Sequence, residues 1–254
     1  TNWAYNDMTR AAGLGIIQWV GNGRIDPSGT LSWGQFLTMF ARTFASDEYA
    51  KALASGLAWD AAGLQAAMNA GYLDSGDPLP VLQGGSLSDP VSRQDAAILL
   101  ARALPEESGY VYSTAVQASG FTDWNRMDTA HQEAVAQLAD RGVVSGRTDG
   151  SFGCADTIQR ADGTTLLMRV LTLVDRARSG EAKAITLRVV DSTTGQSILP
   201  DQQVNGTVGD FLSYFAYQVD PGNYNFMNSS SNTISTACDT YTLEFVPITQ
   251  AEVQ

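Results

Sequence analysis

FTDW from Phe121 to Trp124, VVSGRTDGSF from Val143 to Phe152 and IQRADGTTLLMRVL from Ile158 to Leu171 lay out the plan that decides this fold. Between the first two stretches, Ala130, Ala134, Val135 and Leu138 recur at helical spacing, which predicts a helix over Thr129 to Ala139. Gly142 follows where a left-handed C-terminal cap is needed. Gly146, Asp149 and Gly150 then make a tight loop, Phe152 plugs it into the core, and a second helix opens near Gln159. Leu167, Val170, Leu171 and Val174 form the buried stripe of that helix.

Working outward, the same helix, glycine loop and helix occur twice more, from Trp3 to Arg42 and from Trp59 to Leu104. Gly15, Gly71 and Gly142 coincide in the three segments, as do Arg42, Arg102 and Arg169. A unit of roughly 50 residues is too small to bury a core alone, so the three are expected to pack together. Trp3, Trp59 and Phe121, at the segment starts, read as core anchors. Arg42, Arg102 and Arg169, late in their helices, complement exposed carbonyls.

These residues resemble three S-layer homology (SLH) repeats. The third segment carries the resemblance with Phe121 to Asp123, Gly142 to Phe152 and the QRAD of Gln159 to Asp162. The middle one offers Trp59, Gly71 and the SRQD of Ser92 to Asp95, with an altered and longer loop. The first keeps Trp3-Ala4, Gly15-Ile16, Gly23 and Asp26-Pro27, but has SWGQ at Ser32 to Gln35 where the arginine belongs. The resemblance implies a mainly α, pseudo-threefold bundle over residues 1–179, with repeats at about 1–45, 57–105 and 119–174. It also implies non-covalent anchoring of an exported protein to the bacterial cell wall, through an acidic, often pyruvylated, secondary cell-wall polysaccharide.

In that family the arginine opening the second helix holds the acidic sugar, which assigns the grip to Arg160 and Arg93. Either position opposes the helix dipole by a few tenths of a kcal/mol to about 1 kcal/mol. An anion lodged between the guanidinium and the free first-turn N–H groups would explain the placement, and so would a bridge to a carboxylate of a neighbouring segment. Gly23, Gly146 and Gly150 permit close approach of a sugar, although turn-making alone accounts for them too. Trp33, in the arginine's place, either stacks on a sugar ring or fills a gap between segments, and the gap is preferred. The expected order of strength is Arg160, Arg93, then Trp33, because the third segment keeps both arginine and compact loop.

From Ala184 the periodicity turns from helical to alternating, which predicts a small α+β domain over residues 184–250. Ile185, Leu187 and Val189 share one strand face, Ser192 to Gly195 is a turn, and Tyr241, Leu243 and Phe245 share another face. A helix within Val208 to Val219 is expected to turn Phe211, Leu212 and Phe215 inward. The arrangement is similar to ubiquitin-like β-grasp modules of bacterial surface proteins.

The net charge of -12 disfavours nucleic acid as a partner. There is no apolar run long enough for membrane insertion, and TNWAYND carries no signal-like segment, so a soluble chain whose export signal is removed or left out is expected. Cys154 and Cys238 read as two unpaired thiols rather than a bridge. His131, the one histidine, has no nucleophile motif beside it and reads as a solvated or capping residue. Asp123, Asp149 and Asp156 lack the spacing of a calcium loop. No cofactor, metal or catalytic centre is therefore expected. The rival readings are a glycan-cleaving surface enzyme and a structural protein whose degenerate repeats bind no sugar.

Overall fold

A computed structural model describes residues 3–18, 26–106, 120–219 and 221–248. The chain separates into two compact units, Thr1–Met8 with Ile16–Leu173, and Thr9–Gly15 with Val174–Gln254. The helices are α1 (Tyr5–Gly13), α2 (Trp33–Phe44), α3 (Ser46–Ala54), α4 (Trp59–Asn69), α5 (Arg93–Arg102), α6 (Thr129–Asp140) and α7 (Arg160–Ala177). None of the described helices is long and apolar enough to cross a membrane. Gly15, Gly71 and Gly142 end α1, α4 and α6 with positive φ of 73°, 78° and 69°. That conformation costs glycine little and a residue with a Cβ much more.

The first unit is tied together at the segments that lead into α2, α5 and α7. Leu31 N–H donates to Ile158 C=O at 2.9 Å, Ile158 N–H to Val91 C=O at 3.0 Å, and Val91 N–H to Leu31 C=O at 3.1 Å. This ring of backbone bonds closes on itself, and all three side chains are buried. The helix that follows each ring member is therefore held at a fixed place beside the other two. The same logic continues one turn on, where Trp33 and Gly34 donate to Asp89 and Leu87, Arg93 and Gln94 to Asp156 and Cys154, and Arg160 and Ala161 to Gly29 and Pro27. Each helix start is capped by the turn of another segment.

Side-chain caps add to this at two of the three starts. Ser32 and Gln35 form a reciprocal capping box on α2. Ser92 accepts from Asp95 N–H on α5, but the Asp95 carboxylate takes the Ser92 hydroxyl at 2.6 Å instead of the backbone N–H. Helix α3 lies in what reads from the sequence as a connection. Its Tyr49 and Ala52 pack with Ala41, Ala45, Ala62 and Ala66, small residues that allow helices to approach closely.

The second unit carries a four-stranded mixed sheet of β1 (Ala182–Asp191), β2 (Gln202–Thr207), β3 (Tyr224–Ser229) and β4 (Thr240–Pro247), in the order β2-β1-β4-β3. The central pair β1 and β4 is parallel, in register Thr186 to Thr240, and both edges are antiparallel. Ile185, Leu187, Val189, Tyr241, Leu243 and Phe245 are buried on one face, as the alternation predicts. Helix α8 is only Leu212–Ala216. Leu212 and Phe215 are buried, but Phe211 is exposed: it precedes the helix with extended backbone and points away from that face.

Candidate functional site

Arg93 and Arg160 each open a helix and each line a groove, but the grooves are assembled across segments. The Arg93 groove combines the middle segment's arginine with the loop Ser145, Gly146 and Arg147 and with Asp162, Thr165 and Arg169 of α7, all from the third, and with Trp3 from the first. The Arg160 groove combines the third segment's arginine with Ile16, Ile17 and Gln18 and with Gln35, Thr38 and Arg42 of α2, from the first, and with Trp59 from the middle one. The matched positions are the same distance along each helix: Thr38 and Thr165 stand five residues past the first residue of α2 and α7, and Arg42 and Arg169 nine. The volumes are 380 Å³ for the Arg160 groove and 220 Å³ for the Arg93 groove.

At the remaining position of the same construction the corresponding residues differ. Trp3 and Trp59 precede Gly15 and Gly71 by twelve residues, and that offset from Gly142 reaches Ala130. Threonine is replaced by the buried Ile98 and the helix-opening arginine by Trp33. Arg42, Arg102 and Arg169 donate Nη1 to the carbonyls of Ile16 (3.5 Å), Tyr72 (2.8 Å) and Val143 (2.8 Å), the residue after each capping glycine. Among the described residues, Arg102 alone of the three is also clasped by a carboxylate, Asp77, at 2.6 and 2.7 Å through two parallel bonds.

Arg93 and Arg160 lack such a partner among the described residues. Arg93 lies over the Phe152 ring at 5.0 Å, and its Nε is buried with nothing to bond. Arg160, only 9% exposed, donates Nη2 to the Gln18 carbonyl at 2.7 Å, and its Nε is likewise buried and unbonded. Arg10, Arg102, Arg147, Arg178 and Arg188 all pair with carboxylates. Burial pushes the Arg93 guanidinium down from its ordinary value; Asp162 opposes this, while Arg147 and Arg169 add to it. Burial lowers Arg160 too, against the pull of Asp26. Both stay charged, as guanidinium does in proteins. Among the described residues neither arginine forms a bridge to a carboxylate of a neighbouring segment.

Several sequence expectations are corrected by this geometry. The first two amides of α5 and α7 are not available to an anion, because the neighbouring turns already accept from them. Trp33 is 1% exposed and presents no ring face to a sugar; of its two readings it takes the preferred one and fills space between segments. Trp3 and Trp59 are not core anchors: at 65% and 50% exposed they wall the two grooves, whereas Phe121 is buried. The compact loop of the third segment serves Arg93, not Arg160, which removes the ground for ranking Arg160 first. Gly146 lines the Arg93 groove, Gly150 (φ 77°) closes the turn without lining either groove, and Gly23 lies outside the described residues.

The carboxylates considered for calcium are otherwise engaged. Asp123 accepts from the amides of Phe152, Gly153 and Cys154 at 2.7, 2.9 and 2.9 Å, and although burial works to raise its pKa, these bonds bring it down to about 2. Asp149 accepts from the amide and hydroxyl of Ser151, and Asp156 pairs with Arg147. His131 is not solvated. It is buried between Asp95 (3.0 Å) and Asp128 (2.7 Å), and these bonds raise its pKa against the effect of burial. Cys154 and Cys238 are free thiols.

Sequence reading missed Trp3, Trp59, Thr38, Thr165, Arg42, Arg147 and Arg169 as groove residues. The signal was there in part, as threonine and arginine at fixed offsets in two helices of three. Residues 120–162 match the family model of the S-layer homology domain. No curated protein matches the chain significantly. SLH domains generally mediate association with the cell wall at the cell surface, and bind its polysaccharides.

Proposed function

We propose that this chain anchors an exported bacterial protein to the cell wall by binding an acidic secondary cell-wall polysaccharide in the Arg93 and Arg160 grooves, without catalysis. The three segments are read as three SLH repeats around a pseudo-threefold axis, the ring of Leu31, Val91 and Ile158 being the feature that supports this. The second unit is read as β-grasp-like from its β2-β1-β4-β3 order. The observation that carries the functional reading is a buried Arg160 and a half-buried Arg93, each with a buried, unbonded Nε and no carboxylate partner among the described residues, in a protein of net charge -12. Leaving a buried cation unpaired costs several kcal/mol, on the order of what breaking a buried ion pair costs. With 27 Asp and Glu residues at hand, the chain pairs five other arginines with carboxylates and leaves these two helix-opening ones without one among the described residues, so an acidic ligand supplies the counter-charge.

The exposed indoles of Trp3 and Trp59 support a sugar as the carrier of that charge, since a ring face at the groove wall suits the apolar face of a pyranose. Co-sedimentation of the purified chain with peptidoglycan sacculi tests the reading. Binding is expected before, and not after, removal of the attached polysaccharide. Equal binding to stripped sacculi would make peptidoglycan the ligand, and no binding to either would leave a structural role.

A further inference from the structure

We propose that the two grooves divide the glycan by the shape of its acidic group: the Arg93 groove takes a compact oxyanion of the phosphate-ester type, and the Arg160 groove a carboxylate carried beside an apolar substituent. This rests on the reading that both grooves hold an acidic glycan. The difference lies in free hydrogen-bonding capacity. In the Arg93 groove none of the Arg93 guanidinium nitrogens is bonded to a described residue, and Thr165, 3% exposed, has a buried hydroxyl with no partner among them. Arg169 and Arg147 stand on the same groove beside Asp162, with Arg169 giving one Nη to the Val143 carbonyl and Arg147 paired with the exposed Asp156. Gly153 leaves room for the Arg147 guanidinium, which a Cβ there would meet at 2.5 Å. Several donors converging on a small volume match a tetrahedral oxyanion, whose many lone pairs need as many donors.

In the Arg160 groove the corresponding donors are partly used. Thr38 gives its hydroxyl to the Trp59 carbonyl at 3.2 Å, and Arg160 gives one Nη to Gln18. The larger volume is lined by Ile16, Ile17, Met39 and Trp59, apolar surface that an oxyanion alone would leave wet and a methyl-bearing substituent would cover.

The five tryptophans allow each groove to be read separately in the full chain labelled with 5-fluorotryptophan, with Trp3→Phe and Trp59→Phe assigning the two resonances by fluorine NMR. Glucose 6-phosphate is the compact probe and N-acetylmuramic acid the carboxylate probe with apolar groups. Glucose 6-phosphate should shift the Trp3 resonance at concentrations about tenfold lower than the Trp59 resonance, and N-acetylmuramic acid should reverse that order. Thr165→Val, of the same shape, and Arg147→Ala, at a half-exposed side chain, should each weaken the phosphate response at Trp3 about tenfold, the value of one charge-assisted bond. If extracted wall polysaccharide shifts both resonances but the two probes show the same order, this division is wrong and the anchoring reading stands. If neither polysaccharide nor probes shift either resonance, both are wrong.

Discussion

The two open grooves and the closed position around Trp33 are built from the same parts, a capped helix start, a loop after a left-handed glycine, and an arginine near the helix end. What differs is how charge is settled. At the closed position the helix-opening cation is replaced by a buried indole and the late arginine, Arg102, is clasped by Asp77. At the open ones Arg160 is buried and Arg93 half-buried, each with a buried Nε and no carboxylate partner among the described residues. A position that only has to be stable ends up apolar or internally paired, because an unpaired buried charge costs more than it contributes. Cations at matched places without a carboxylate are thus what the proposed acidic ligand would pair.

The largest effect expected from this contrast is on stability, at the closed position. Trp33→Ala should destabilise the protein by about 3 to 5 kcal/mol through loss of a large buried side chain, measured by chemical denaturation. Trp3→Ala and Trp59→Ala should change stability by only about 0.5 kcal/mol, since both rings are largely exposed, and weaken polysaccharide binding instead. A stability loss at Trp3 as large as that at Trp33 would break the distinction between filler and wall.

Next in size is the loop that walls the Arg93 groove, which hangs on Asp123. Its folded pKa of about 2 lies below the value of about 3.9 in an unfolded chain, so the carboxylate contributes about 2 to 3 kcal/mol above pH 4 that is lost as pH falls towards 2. Asp123→Asn should flatten that acid limb of the stability profile. An unchanged limb would mean that the loop is held by something else.

Removal of the grips themselves comes third. Arg93→Ala or Arg160→Ala should each weaken wall binding by about 1.5 to 3 kcal/mol, roughly ten- to hundredfold, with little change in stability. Undiminished binding by the double variant would sink the role of both.

How much of this could be read from the sequence follows from which interactions are local. Helix faces, the capping glycines at Gly15, Gly71 and Gly142, and the alternating strands are set within a few residues and were legible. The grooves were not, because each draws on three segments distant in the chain: nothing near Arg93 says that its walls come from Arg147 and Trp3. Aromatic residues mislead for a similar reason, since Trp3 and Trp33 have the same intrinsic drive to be buried and only the packing decides which one is. His131 reads as a solvated or capping residue, yet α6 carries it against Asp95 of α5.

The smallest effect concerns the clasp that closes the third position. The Asp77 carboxylate is held below the usual range first of all by its bonds to Arg102, against the opposing effect of burial, and it also accepts from the Asp74 amide at 2.8 Å. The pair is partly exposed, so Asp77→Asn should cost only about 0.5 to 1 kcal/mol, the range for a solvent-screened ion pair. It would leave Arg102, like Arg42 and Arg169, bonded to a carbonyl and without a carboxylate partner among the described residues. Without a helix-opening arginine or a tryptophan wall, however, that one cation should not make a third site. Titration of the Asp77→Asn chain with extracted polysaccharide should therefore keep the wild-type stoichiometry. An added equivalent of ligand would show that Asp77, rather than Trp33 and Ala130, is what keeps the position closed.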